Sequence, residues 1–295
     1  MKMRIAAISL IAFSSFALSS LVWAAPDLND TYKELTAAVE AKNPAQVKAL
    51  ANQTSKEAKE LAKEAQPAEA DAVEAWKARQ KFAKDADDYS EYALSAVGMQ
   101  VPASLVDLTD ALIAQNPKSK HIDTVAPYYL QALTRLGGAK ASAGAQKILA
   151  ANPEQEDALM QLAGNPQYAN KLVQVMRTKS KPEGVSEADW ERKKSQMITN
   201  GTYMGAVGPC SRSVWAECDR AMKAAEPVLK GTSMAGTMYF YLGVANYQMG
   251  SLTADKSKMR EGLRYSQQSA GIAGPMQGQA GANVAAMSKA VGAGK

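Results

Sequence analysis

The chain has 295 residues, 46% hydrophobic and 21% charged, with a mean hydropathy of −0.27, which is the composition of a folded protein and excludes a disordered tail. Aromatic residues make up 6% and alanine about a fifth, which favours close-packed helices and argues against an all-β sandwich. One histidine and two cysteines leave little material for a zinc site or a histidine-based triad, and a formal charge of +5, or +3 once Lys2 and Arg4 are removed, does not imply nucleic acid.

Lys2 and Arg4 precede an apolar stretch from Ile5 to Val22, and Val22-Trp23-Ala24 supplies the −3 and −1 positions of a cleavage site. Residues 1–24 read as a signal peptide. The competing reading is an uncleaved anchor, because the run approaches the ~20 residues that cross a bilayer, but Ser14, Ser15, Ser19 and Ser20 weaken it. No cysteine follows the run to carry a lipid, and no later segment is apolar enough to form a membrane span. The mature chain is expected in a periplasm or outside the cell, where disulfides persist. Its charge is uneven, about −4 over residues 27–100 and about +5 over 181–295. An acidic partner would prefer the C-terminal half, although two solvated faces of opposite sign account for the same numbers.

From Asp30 to about Ala65 the pattern is a helical hairpin: Tyr32, Leu35 and Val39 recur at helix spacing, Asn43-Pro44 breaks it, and Val47, Leu50 and Leu61 resume. Gln66-Pro67 ends the hairpin, and a long helix follows from about Ala68 to Met99, with Val73, Trp76, Phe82, Tyr89, Tyr92 and Val97 as its apolar and aromatic members. Pro102 opens the next helix at its first turn. Breakers then recur. Asn116-Pro117 and Asn152-Pro153 lie 36 residues apart, each after an alanine-rich amphipathic segment, Leu105–Ala114 and Ala141–Ala151. Glu226-Pro227 reads as a breaker about two units further on, and Gly274-Pro275 as the next, stretched by Ser251–Lys258. Periods of this size mean stacked helix pairs, none of which buries its apolar face alone. Gln277–Val291 reads as a capping helix and Gly292–Lys295 as a frayed end.

The segment Tyr239-Phe240-Tyr241-Leu242-Gly243-Val244-Ala245-Asn246-Tyr247-Gln248-Met249-Gly250 resembles the first helix of a tetratricopeptide repeat (TPR), in which an aromatic, Leu-Gly, a second aromatic and a turn glycine follow at set spacing. Gly243 would let the partner helix approach, Tyr239 and Leu242 would fill the groove between pairs, and Gly250 would permit the reversal. Asn246 stands where the pattern has its second aromatic, with Tyr247 one residue later. Cys218–Pro227 is similar to the second helix of such a unit, with small residues at Cys218, Ala221 and Ala225, Tyr203 as the aromatic of its first helix and Trp215 opening the second. The resemblance covers about residues 100–275 and implies an all-α, TPR-like solenoid of roughly five antiparallel pairs with a C-terminal cap. Residues 25–100 form an N-terminal hairpin and long helix, and residues 101–291 form the repeats and cap.

Cys210 and Cys218, eight apart around an expected bend at Gly208–Arg212, reach disulfide distance if they face one another across two antiparallel helices. Two separate thiols are the alternative; a redox pair lacks the Cys-x-x-Cys spacing. His121 reads as a helix-start surface residue, because no motif supplies a nucleophile or an orienting partner. Asp87-Asp88 and Glu154, Glu156 and Asp157 could bind a cation or flank a glycosidic bond, but adjacent acids on one helix point different ways and acids opening a helix complement its dipole, which favours a structural role. The glycines at 201, 205 and 208, and those after Gly271, follow no strand and precede no Gly-Lys-Ser or Gly-Lys-Thr triplet, so a phosphate-cradling loop is not supported, and no cofactor is implied.

The resemblance implies a concave groove lined by first helices and occupied by a segment of another protein. Tyr128, Arg135, Tyr203, Phe240, Tyr247 and Gln248 are the candidate contacts, aromatics and arginine being enriched at hot spots and methionine adaptable. For the tyrosines the competing role is burial between units. The expected function is non-catalytic binding or scaffolding of another envelope or secreted protein. An envelope enzyme working on peptidoglycan through carboxylates and a carrier of a small apolar ligand are the alternatives, distinguished by an inward pair of carboxylates of raised pKa or by an enclosed pocket of methionine and tyrosine.

Overall fold

A computed structural model describes residues 28–182 and 184–292. The expected signal peptide, its cleavage site and residues 293–295 lie outside the described residues. The described residues form thirteen α-helices and no strand. The first six are α1 (Leu28–Glu40), α2 (Pro44–Leu61), α3 (Ala70–Ala96), α4 (Pro102–Gln115), α5 (His121–Leu136) and α6 (Gly138–Ala151). There follow α7 (Glu156–Gln161), α8 (Pro166–Thr178), α9 (Glu187–Ser211), α10 (Trp215–Leu229), α11 (Ala235–Thr253), α12 (Lys256–Ala270) and α13 (Gln277–Gly292).

Local chemistry sets the boundaries. Asn43 and Asn165 each accept a backbone N–H of the first turn, from Gln46 and Gln167, and each precedes a proline at a position where no intrahelical N–H is needed. Ser186 and Asp255 cap α9 and α12 in the same way, accepting from Asp189 and from Ser257 and Lys258. At the far ends of α4 and α6 the residue before proline is forced out of the helical region: Asn116 and Asn152 are extended, with φ of −148° and −130°. These two stops share more than a dipeptide. Each asparagine accepts the N–H two residues on, from Lys118 or Glu154, and donates its amide to a carboxylate of the preceding odd-numbered helix, Asn116 to Glu91 and Asn152 to Asp123. The 36-residue interval in the sequence is therefore a repeated joint.

Three expectations need correction. Glu226-Pro227 does not break a helix, since Pro227 lies inside α10, two residues from its end, where the missing N–H costs one helical bond, to the Lys223 carbonyl. Helix α9 likewise passes through Pro209 to Ser211, so the bend falls at 212–214, where Ser213 takes a left-handed φ of 58°, and not at Gly208–Arg212. Gly250 is helical, and the reversal after α11 is made by Ala254 at φ 53°. The contribution of Gly250 is proximity: a Cβ there would lie 2.7 Å from the Asp255 carbonyl and the Met259 nitrogen. With Gly243 and Gly262 it makes α11 and α12 a close-packed pair, a Cβ on Gly262 falling 2.6 Å from the Tyr247 nitrogen.

Every helix packs on the next in the chain, and each odd-numbered helix also touches the next odd-numbered one, from α1–α3 through α11–α13. The core follows this order. One cluster, including Leu35, Leu94, Leu112, Ile122, Tyr129 and Ile148, runs from α1 to α7. A second, including Leu159, Leu172, Met176 and Trp190, continues through α8 and α9, and a third, including Met222, Leu229, Met238 and Leu242, binds α9 to α12. Among the described residues, no helix is long and apolar enough to cross a membrane.

Candidate functional site

Helical spacing aligns Phe82, Tyr89 and Tyr92 on one face of α3, and His121, Tyr128 and Arg135, seven apart, on one face of α5. Packing of α1, α3 and α5 turns the first of these into a ladder. Ring centroids step from Phe82 to Tyr32 of α1 at 5.7 Å, from Tyr32 to Tyr89 at 5.1 Å, from Tyr89 to Tyr92 at 5.8 Å and from Tyr92 to His121 of α5 at 5.9 Å. Such spacings are those of favourable edge-on and tilted aromatic pairs. Tyr92 and Tyr128 stay 45% and 50% exposed, so the ladder and its continuation on α5 reach solvent.

Carboxylates border the ladder. Burial first, and then Asp85, holds the Tyr32 phenol above its ordinary pKa; at Tyr89 burial leads again, with Glu40 among the smaller contributors. Burial, followed by Lys120, lowers the pKa of His121, against the opposing pull of Glu91 and Asp88. His121 does open a helix, as the sequence implies, but it is half-buried against Tyr92 and not a free surface group.

The six candidate contacts all lie on odd-numbered helices. Tyr128, Arg135 and Gln248 are exposed, while Tyr203, Phe240 and Tyr247 are half-buried. Tyr203 packs against the cluster that holds Cys210 and Leu242, and burial first, then the neighbouring Tyr241, holds its phenol above its ordinary pKa. Phe240 stands edge-on to Tyr241 at 5.5 Å. The residues fall into two groups. Tyr203, Phe240, Tyr247 and Gln248 sit on the touching helices α9 and α11, and Tyr128 and Arg135 on α5, which packs on α3 and α7. The ladder residues Tyr32, Tyr89 and Tyr92 were absent from the sequence-based set because their periodicity marks them only as apolar members of helices.

Asn246, the departure from the aromatic pattern, is fully buried and donates its amide to Asp219 of α10 at 2.6 Å and to the Leu242 carbonyl at 2.9 Å. It replaces aromatic packing with a cross-link between α10 and α11. The acids considered for hydrolysis are engaged. Asp87 accepts from Ser55 at 2.6 Å, Asp88 pairs with Lys84 at 2.7 Å, and Glu154 with Lys171 at 3.5 Å. Glu156 departs from the expected role of a solvated helix-opening acid: it is buried and lies 2.6 Å from Lys179 and 2.8 Å from Lys193, which also meets Asp157 at 3.4 Å. Burial pushes the Glu156 pKa up, but hydrogen bonds and charge from the two lysines overcome it and hold the group below its ordinary value, a carboxylate and not a proton donor. Among the described residues no group of three or more His, Cys, Asp or Glu is placed to hold a metal.

Cys210 and Cys218 are joined, with Sγ atoms 2.09 Å apart and Cα atoms 4.7 Å apart. The bridge ties the last turn of α9 to the first turn of α10, and both residues are buried. Comparison of the chain with protein-family models, with curated proteins and with solved structures gives no match.

Proposed function

We propose that this chain is a non-catalytic scaffold whose helix pairs stack lengthwise as a TPR-like solenoid and whose odd-numbered helices receive a segment of another protein of the cell envelope or the secreted medium. The unbroken succession of contacts between odd-numbered helices supports the stacking, and so does the repeated Asn-Pro joint after α4 and α6. The observation that carries the binding role is the ladder from Phe82 to His121, which passes through exposed Tyr92 and is continued on α5 by Tyr128 and Arg135. Solvent-facing tyrosines on rigid helices offer large contact area at small entropic cost. A disulfide supports an oxidising compartment, in keeping with the export signal read at residues 1–24.

The test is site-specific photo-crosslinking. A photoreactive residue is placed at Tyr128 or Gln248 on the odd-numbered helices, and at Lys63, just past α2, as the control. The same protein adduct from both odd-helix positions, and none from residue 63, is the expected outcome. Adducts that do not distinguish the positions, together with hydrolysis of a wall polymer by the purified chain, would replace the scaffold with the enzymatic alternative.

A further inference from the structure

Between the second and third core clusters the even-numbered helices α8 and α10 do not close over α9. Gly201 faces Val173 and Gly205 faces Ala169, so α9 runs antiparallel to α8. The disulfide and the short turn fold α10 back along α9. The result is a cleft of about 510 Å³ between two parallel helices, floored by Thr202, Gly205 and Ala206. That volume falls within the range of small-molecule sites.

Its two walls differ in chemistry. On α8, Asn170, Gln174, Arg177 and Thr178 form a polar stripe. On α10, Ala221, Ala224, Ala225 and Val228 form an apolar one at helical spacing. Arg177 is the one charged residue in the lining, and among the described residues no carboxylate pairs with it. The amides of Asn170 and Gln174 likewise take part in no hydrogen bond among the described residues. From residue 170 to 177 the stripe rises about 10 Å at 1.5 Å per residue.

We infer that this cleft binds a small amphiphilic carboxylate with an amide next to an apolar chain, of the N-acyl amino acid class. The guanidinium of Arg177 takes the carboxylate in the bidentate geometry that suits it. One turn from Arg177, Gln174 supplies both donor and acceptor to the amide, with Asn170 a further turn along α8. The acyl chain lies along the alanines of α10, whose small side chains leave it room and remove it from water. Complementary charge favours this occupant: residues 181–295 carry fourteen Lys and Arg against nine Asp and Glu. Although α9 forms its floor, none of the six candidate contacts lines this cleft.

Titration calorimetry on the mature chain tests it with three probes: N-octanoylglycine, octanoate, which lacks the amide, and N-octanoylglycinamide, which lacks the carboxylate. N-octanoylglycine is expected to bind tightest, with loss of the carboxylate weakening it about tenfold or more. Arg177→Gln should abolish the difference between acid and amide, and Ala224→Phe should block all three; both residues are exposed, and an unchanged thermal melt confirms that the fold is kept. Tyr128→Ala should leave this binding intact, which separates the cleft from the scaffold function. Equal binding of acid and amide, octanoate matching N-octanoylglycine, or no binding of any probe would overturn the assignment.

Discussion

Lys193 of α9 places its ammonium 2.8 Å from one carboxylate oxygen of Glu156, and Lys179, just past α8, meets the other at 2.6 Å. This buried acid at the start of a six-residue helix joins α7 to the segment after α8 and to α9. Glu156→Gln keeps the shape and removes the charge that both lysines need. The expected loss is about 2 to 3 kcal/mol by urea denaturation, less than for a fully buried pair because the lysines reach water.

The same contact gives the chain an acid-side weakness. The folded pKa of Glu156 lies below its ordinary 4.5, so the unfolded chain takes up a proton first as the pH falls. Its contribution is complete above 4.5 and is lost as the pH drops from there through the folded value. Melting curves across this window should show a steeper decline for the parent chain than for Glu156→Gln.

Reduction of the Cys210–Cys218 bridge should lower the melting temperature. The cross-link closes a short loop, for which chain entropy predicts about 2.5 kcal/mol. The variant Cys210→Ser with Cys218→Ser should melt with the reduced parent, and the parent should become indistinguishable from it in the presence of dithiothreitol. A non-reduced peptide map should contain the linked pair.

His121 offers a direct readout of the ladder, because it is the one histidine in the chain. Burial and Lys120 keep its pKa below 6.5, so the ring stays neutral to lower pH than in the unfolded chain, and stability falls as the pH drops below 6.5. The imidazole proton resonances should titrate below 6.5, and Tyr92→Ala, which uncovers the ring, should move the midpoint upward.

Glycines of the C-terminal pairs should divide by what stands opposite them. Gly262→Ala drives a methyl into the backbone of α11 and should cost about 1 to 3 kcal/mol. Gly281→Ala, with nothing within 4 Å of its new carbon, should stabilise α13 by about 0.5 to 1 kcal/mol. Thermal melts of the two variants should shift in opposite directions.

Much of the helix order was legible because its signals are local. Asn43-Pro44, Asn116-Pro117 and Asn152-Pro153 mark boundaries through backbone sterics and side-chain capping, which need no knowledge of the rest of the chain. The cysteine pair was legible for the same reason, eight residues about a turn. Glu156 was not: an acid opening a helix has one sequence signature whether it faces water or two lysines 23 and 37 residues away. Nor was the ladder, in which Tyr32 meets rings 50 and 57 residues later, at distances beyond helical periodicity. Pro227 reads as a breaker in sequence, but α10 carries on through it for two residues, giving up the one hydrogen bond to the Lys223 carbonyl.

The order of packing bears on how the chain reaches its native state. Since each helix finds its neighbours immediately before it or two places back, a growing or emerging polypeptide meets each docking surface already in position, and no early segment must wait for a distant late one. With contacts this local, loosening of α13, which rests on α11 and α12, would leave the N-terminal helices seated.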